Sequence, residues 1–312
     1  MKKEKIYEIE PFNRFALGGC FEYGYIPAFS CLGGSQVDYF LNTIVYYRFI
    51  DDNFCVSSFN ISEREELERK FSIESYTQTE YEENIVDVVL NSLIKEKLVM
   101  LRVSGAEAYE IDSLRKTEKS FSEHWMLCYG YDLNKEEFYV LEHLTNISAF
   151  YKPCRIKFEN LKEAYEINKD GNVFNLLCIW KNGESILSQD LKNEYIMRLD
   201  MYKDKYELSR DSLLRYLDGL KNVSEDNELP EEGVLLTTEV IKGIQREQWL
   251  LDKCGFWFDT TEVIKLLNLV RTFQTKCDLY PSDRNYEMLR AYAVSAKEAV
   301  QEYYKYLINI LE

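Results

Sequence analysis

Few residues in this 312-residue chain can do acid–base or nucleophilic chemistry at neutral pH. There are two histidines, His124 and His143, so a mechanism that moves a proton through imidazole must use one of them. Eight cysteines are dispersed with no CxxC pair, and the first two, Cys20 and Cys31, stand in the glycine-flanked stretch ALGGCFEYGYIPAFSCLGGSQ. A thiol becomes a nucleophile when an imidazole takes its proton and a carboxylate or amide fixes the tautomer of that imidazole. The two histidines bracket HWMLCYGYDLNKEEFYVLEH, which reads as a β-hairpin turning at Asp132–Lys135. Antiparallel strands of similar length return the chain to its starting level, so His124 is expected beside Glu142 and His143. Glu142 is then the natural orienting group, with Asn146 as its substitute.

The nucleophile stays open on local grounds. Glycines permit a tight turn ahead of Cys20, and a helix starting there would lower its thiol pKa. Cys31 precedes a second glycine pair and a second helix and is nearly as apt. Free cysteines are most often small apolar core residues. A metal set of Cys20, His124, Glu142 and His143 has no familiar ligand spacing. The chain contains no glycine-rich phosphate loop, HExxH or GxSxG. Neither a cofactor nor a metal is expected.

The elements that must position these groups read as α+β. CFEYGYIPAFSCL begins a helix that Pro27 should bend or end. Ser35 and Asp38 can cap a second helix through VDYFLNTIVYYRF. Further helices are expected from Ser62 and Glu65, and over ENIVDVVLNSLIKEK. KLVMLRV is β-prone, the histidine hairpin follows, RIKFENLKEAYEI suggests another helix, and NVFNLLCIWKNG a closing strand. Beyond Gly183 the segments 188–222, 236–254, 260–277 and 284–311 carry helical apolar stripes, such as Leu289, Ala293, Ala296, Val300, Tyr303, Leu307 and Leu311. The expected domains are 1–183, bearing the chemistry, and 184–312, a helical lid or substrate-shaping part.

Composition narrows the function. Hydrophobic residues make up 46% and aromatics 14%, which is enough to build a sizeable core. Against 38 Lys and Arg stand 54 Asp and Glu, a formal net charge of −16. That surface repels phosphate backbones and argues against nucleic acid as a partner, while it suits a cationic substrate. The N-terminal MKKEKIYEIEPFNRF has no apolar core of a secretory signal, and YFLNTIVYYRFI is too short for a membrane span. A cytoplasmic protein with reduced thiols and no membrane association is the expectation.

With these residues in place, the chain resembles the butirosin-biosynthesis acyltransferase N-terminal family, relatives of papain-like and bacteriocin-processing cysteine peptidases. The resemblance rests on CFEYGYIPAFSCLG, with Cys20 opening a helix and Gly33 closing it, on the LVMLRV strand, and on HWMLCYGYD with FYVLEH. It covers roughly the first half of the chain. It implies a papain-like fold with a helical C-terminal half and a triad of Cys20 as nucleophile, His124 as base and Glu142 as orienter. Glu142 stands where the family usually has Asp. The oxyanion donor would be the Cys20 N–H, with Asn13 a further candidate. The implied activity is acyl transfer from a carrier-protein thioester to an amine, a diamine in one kind of relative, with a cysteine peptidase or amidase as the alternative. The implied partners are an acyl or peptidyl carrier protein and a small amine. Carrier proteins are usually acidic, so a basic docking patch is expected, with Arg115, Lys116 and Lys119 as candidates.

Overall fold

The computed structural model describes residues 2–14, 20–57, 61–103, 124–143, 151–166, 176–184, 189–223, 233–279 and 285–312. Contacts divide the chain into two units, Met1–Tyr39 with Ile61–Leu187, and Phe40–Asn60 with Ser188–Glu312. In chain order come β1 (Glu4–Ile6), α1 (Cys20–Cys31), α2 (Gln36–Leu41), β2 (Tyr46–Ile50) and β3 (Asn53–Ser57). Then follow α3 (Ile61–Lys70), β4 (Ile73–Gln78), α4 (Ile85–Ile94), β5 (Leu98–Val103), β6 (His124–Asp132) and β7 (Glu137–His143). β8 (Tyr151–Lys157), α5 (Phe158–Glu166) and β9 (Leu176–Lys181) complete the first unit.

The first unit is α+β, built on an antiparallel sheet in the order β4-β9-β5-β6-β7-β8. β1 pairs with the far end of β6, Lys5 opposite Tyr131 and Ile6 opposite Gly130. Strand alternation gives the sheet two buried faces. On one, Val99, Leu101, Met126, Cys128, Val140 and Ile156 pack with Ile85, Val89 and Leu93 of α4 and Leu161 and Tyr165 of α5. On the other lies α1, whose Gly24 fits against Met100 and Leu127 and whose Phe21 meets the Trp125 ring edge-on at 5.5 Å.

A bulge in β6 sits between Cys128 and Gly130. A Cβ on Gly130 would fall 2.6 Å from the Lys5 carbonyl oxygen and 3.0 Å from Ile6 Cα. The glycine of the GYD run therefore lets β1 close on β6. Gly130→Ala should displace β1 and cost about 1–3 kcal/mol, read as a lowered urea midpoint.

α1 runs unbroken through Pro27 to Cys31. Tyr25, Ile26, Ala28 and Phe29 are fully buried around that proline, and their packing outweighs one missing backbone hydrogen bond. The helix stops at glycine. Gly33 has φ 98°, its N–H donates to the Ser30 carbonyl at 3.2 Å, and the Gly34 N–H donates to the Phe29 carbonyl at 3.1 Å. This is a Schellman closure.

The second helix departs from expectation. Ser35 caps it, accepting the Asp38 N–H at 3.0 Å, but it ends at Leu41. The run expected to continue it forms β2 and pairs with β3, Tyr47 opposite Val56. Ile44, Val45, Tyr46 and Tyr47 are β-branched or aromatic and favour strand. Asp51 and Asp52, at φ 48° and 63°, supply the left-handed turn such a hairpin needs.

That hairpin groups with the second unit, so the division is not the single boundary at residue 183. The Tyr47 N–H donates to Ser209 Oγ at 3.0 Å, and Phe54 stacks on Tyr216 at 4.4 Å. The other elements among this unit's described residues are helices: α6 (Leu191–Met201), α7 (Lys203–Leu220), α8 (Gly233–Lys253), α9 (Thr261–Leu279) and α10 (Tyr286–Asn309). The α10 stripe of Leu289, Ala293, Ala296, Val300, Tyr303 and Leu307 is buried as its spacing requires. Among the described residues no helix is long and apolar enough to cross a membrane.

Candidate active site

Cys20 is the first residue of α1, a half-buried free thiol. Helix N-termini present unsatisfied N–H groups, and the sulfur lies against its own N–H and that of Phe21. A third donor comes from the sheet, the backbone N–H of Trp125. Burial nevertheless pushes the thiol above its ordinary pKa. The Trp125 N–H offsets part of this, and the charge of Glu142 adds to the rise.

Trp125 is the chain neighbour of His124, which opens β6 opposite Val103. The contact between the Cys20 thiol and Trp125 thus brings α1 to the end of the strand on which the sequence placed the base. The side chains of His124 and His143 lie outside the described residues. So do Asn146 and the proposed docking residues Arg115, Lys116 and Lys119.

Glu142 is completely buried near the end of β7, opposite Lys152 of β8. Strand alternation places it on the same face as Val140, the face covered by α4, opposite the one on which α1 lies. Its charge reaches four neighbours, raising the pKa of Cys20, Cys128, Tyr151 and Cys154 beyond what burial alone does. The charge of this buried carboxylate thus reaches the candidate nucleophile, although the two residues belong to opposite faces of the sheet. Among the described residues, no group of three or more His, Cys, Asp or Glu side chains is placed to hold a metal ion.

Asn13 has a visible task. Its Nδ2–H donates to the Tyr151 carbonyl at 2.8 Å, and its Oδ1 accepts the Tyr151 N–H at 2.6 Å. The amide thereby engages the first residue of β8 at both polar ends. Tyr151 in turn donates its hydroxyl to the Trp125 carbonyl at 2.9 Å and stacks on Tyr23 of α1 at 5.1 Å. The clamp links the N-terminal segment, α1, β6 and β8 around the thiol. Neither Trp125 nor Tyr151 was singled out from the sequence: Trp125 acts through backbone groups, which carry no residue-type signal, and Tyr151 meets its partners only through long-range strand pairing.

Asn13→Ala removes two hydrogen bonds and leaves the Tyr151 backbone groups unmatched. A loss of about 1–3 kcal/mol is expected, measured by urea unfolding. Asn13→Asp should retain the acceptor and recover part of it.

The two early cysteines are far apart. Cys31 ends the twelve-residue α1 that Cys20 begins, about 16 Å away along the axis. It too is half-buried, and burial, then the charge of Glu8, raises its pKa.

No family model matches the chain, and no curated protein matches its sequence. The functional reading therefore rests on the site itself. A helix-N-terminal thiol near backbone N–H groups, beside a strand that opens with histidine and a neighbour with a buried carboxylate near its end, has parts that a nucleophilic centre would use.

Proposed function

We propose that the chain is a cysteine transacylase of papain-like fold that moves an acyl group from a carrier-protein thioester to an amine. The observation that carries this reading is the Cys20 thiol at the start of α1, lying against the Trp125 N–H next to His124 and within range of the buried Glu142.

In the proposed reaction His124 takes the Cys20 proton and the sulfur attacks the thioester carbonyl. The carrier thiolate leaves with that proton, and a Cys20 thioester remains. This exchange is nearly isoenergetic, which suits a thiol better than a hydroxyl. A neutral amine then attacks the acyl-enzyme, His124 accepts the ammonium proton, and Cys20 departs as the amide forms. The N–H of Cys20 is the proposed oxyanion donor. The net charge of −16 favours a cationic acceptor such as a diamine. It would repel an acidic carrier protein, so docking falls to a local basic patch.

The test is intact-mass measurement after incubation with an acyl thioester of N-acetylcysteamine, with and without 1,3-diaminopropane. A covalent adduct that persists alone and converts to amide on adding the diamine is the expected result. Rapid release of free acid in the presence of amine would make the chain a hydrolase of the same mechanism. An adduct carried by Cys31 would overturn the assignment of the nucleophile.

A further inference from the structure

The helix α4 covers the middle of the sheet and leaves the margin at β4 and β9 open as a cleft of about 290 Å³, the space of about ten water molecules. We propose that this cleft binds a small organic anion, a carboxylate or phosphate ester with a short apolar stem. It lies on the sheet face opposite α1 and shares no residue with the Cys20 site, so it is independent of the transacylase reading.

The cleft has an apolar floor and a cationic rim. Val88, Leu176 and Cys178 form the floor, and Lys95 and Lys97 stand at the rim with the amides of Gln78 and Asn91. Among the described residues no carboxylate lines it, although the chain carries 54 Asp and Glu. Among the described residues neither lysine has an ion-pair partner. The neighbouring Glu96 instead pairs with Lys5 at 3.2 Å.

The ordinary task of lysines at a helix C-terminus is to satisfy the last carbonyls. Here backbone groups perform it. Glu96 takes a left-handed φ of 65°. Its N–H donates to the Leu93 carbonyl at 3.2 Å, and the Lys97 N–H donates to the Ser92 carbonyl at 2.9 Å. Lys97 is half-buried and held over the Trp180 ring, 3.3 Å from its centroid. Its charge reaches the Cys178 sulfur on the cleft floor, and the Ser92 hydroxyl lies 3.6 Å from that sulfur. One oriented cation, one exposed cation and side-chain amides above an apolar floor match an anionic head with a short hydrocarbon tail.

Isothermal titration of the full chain tests this with butyrate, propyl phosphate, inorganic phosphate, and the neutral isostere butyramide. Saturable binding of butyrate or propyl phosphate is expected, with inorganic phosphate weaker and butyramide weaker by about tenfold or more. The preferred probe of the first two identifies carboxylate or phosphate as the natural head group. Lys95→Gln/Lys97→Gln should weaken binding by about tenfold or more with an unchanged melting temperature. Lys97→Arg, which keeps the charge over Trp180, should retain it. Equal affinity for butyramide, equal affinity in the double variant, or no saturable binding at tens of millimolar would each overturn the proposal.

Discussion

Cys20→Ala is expected to eliminate the covalent adduct formed from an acyl thioester, whereas Cys31→Ala leaves its rate unchanged. The two thiols share one helix, both are half-buried, and burial raises both pKa values. They differ in what surrounds the sulfur. At Cys20 the helix presents its N-terminal N–H groups, and the Trp125 N–H, on the strand that begins with His124, favours the thiolate. At Cys31 the helix presents its C-terminal end, where the dipole opposes a thiolate. His124→Ala should slow adduct formation by about 10²–10⁴-fold, and Glu142→Gln should slow it less if its role is to orient. The pH dependence of alkylation distinguishes the base from a bystander. Because burial holds the Cys20 thiol above its ordinary value, a His124→Ala enzyme should gain reactivity only as pH rises past the usual thiol range. The unmodified enzyme should react well below it, since the imidazole shares the proton. Coincident profiles for the two would remove His124 from the mechanism.

Periodicity decided which parts of this arrangement were readable beforehand. The β6–β7 hairpin announces itself by alternating aromatic and aliphatic residues around an Asp132 turn, and α10 by its three- and four-residue steps. Gly33 marks the end of α1 because only a left-handed residue closes a helix in that way. The hairpin of β2 and β3 was hidden because Asp38 to Phe49 satisfies a helical start signal and a strand composition together. Packing on Ser209, 162 positions from Tyr47, and on Tyr216 selected the strand. The clamp between Asn13 and Tyr151 was hidden for a similar reason. It joins positions 138 apart, the Asn13 side-chain amide to the Tyr151 backbone, and a pairing of that kind leaves no periodic trace.

Glu247→Gln is expected to destabilise the helical unit by about 3–5 kcal/mol. Arg198 of α6 grips Glu247 of α8 with two nitrogens, at 2.7 and 3.0 Å. Tyr195 and Tyr206 donate their hydroxyls to the same carboxylate at 2.6 and 2.9 Å, and Arg198 also donates to the Thr43 carbonyl at 3.1 Å. All four side chains are buried. Removing the carboxylate charge strands a guanidinium that cannot lose its proton. Truncating Arg198 to Met strands the carboxylate instead, with a cost of the same order. The double variant Arg198→Met/Glu247→Leu should cost less than the sum of the two, because neither charge is then left alone. It should still fall below the parent chain, because two tyrosine hydroxyls lose their acceptor. The same network gives the unit an acid limit. Burial alone would raise the Glu247 pKa, but the Arg198 charge and the hydrogen bonds from Arg198, Tyr195 and Tyr206 hold it below the usual carboxylate range. A depressed folded-state pKa contributes stability above the unfolded-state value and loses it as pH falls toward the folded-state value. Urea midpoints followed by helical circular dichroism should therefore drop as pH falls below about 4.5. The decline should be shallower in Glu247→Gln, which has no carboxyl there to protonate, and an unchanged slope would remove Glu247 as the source of the acid sensitivity.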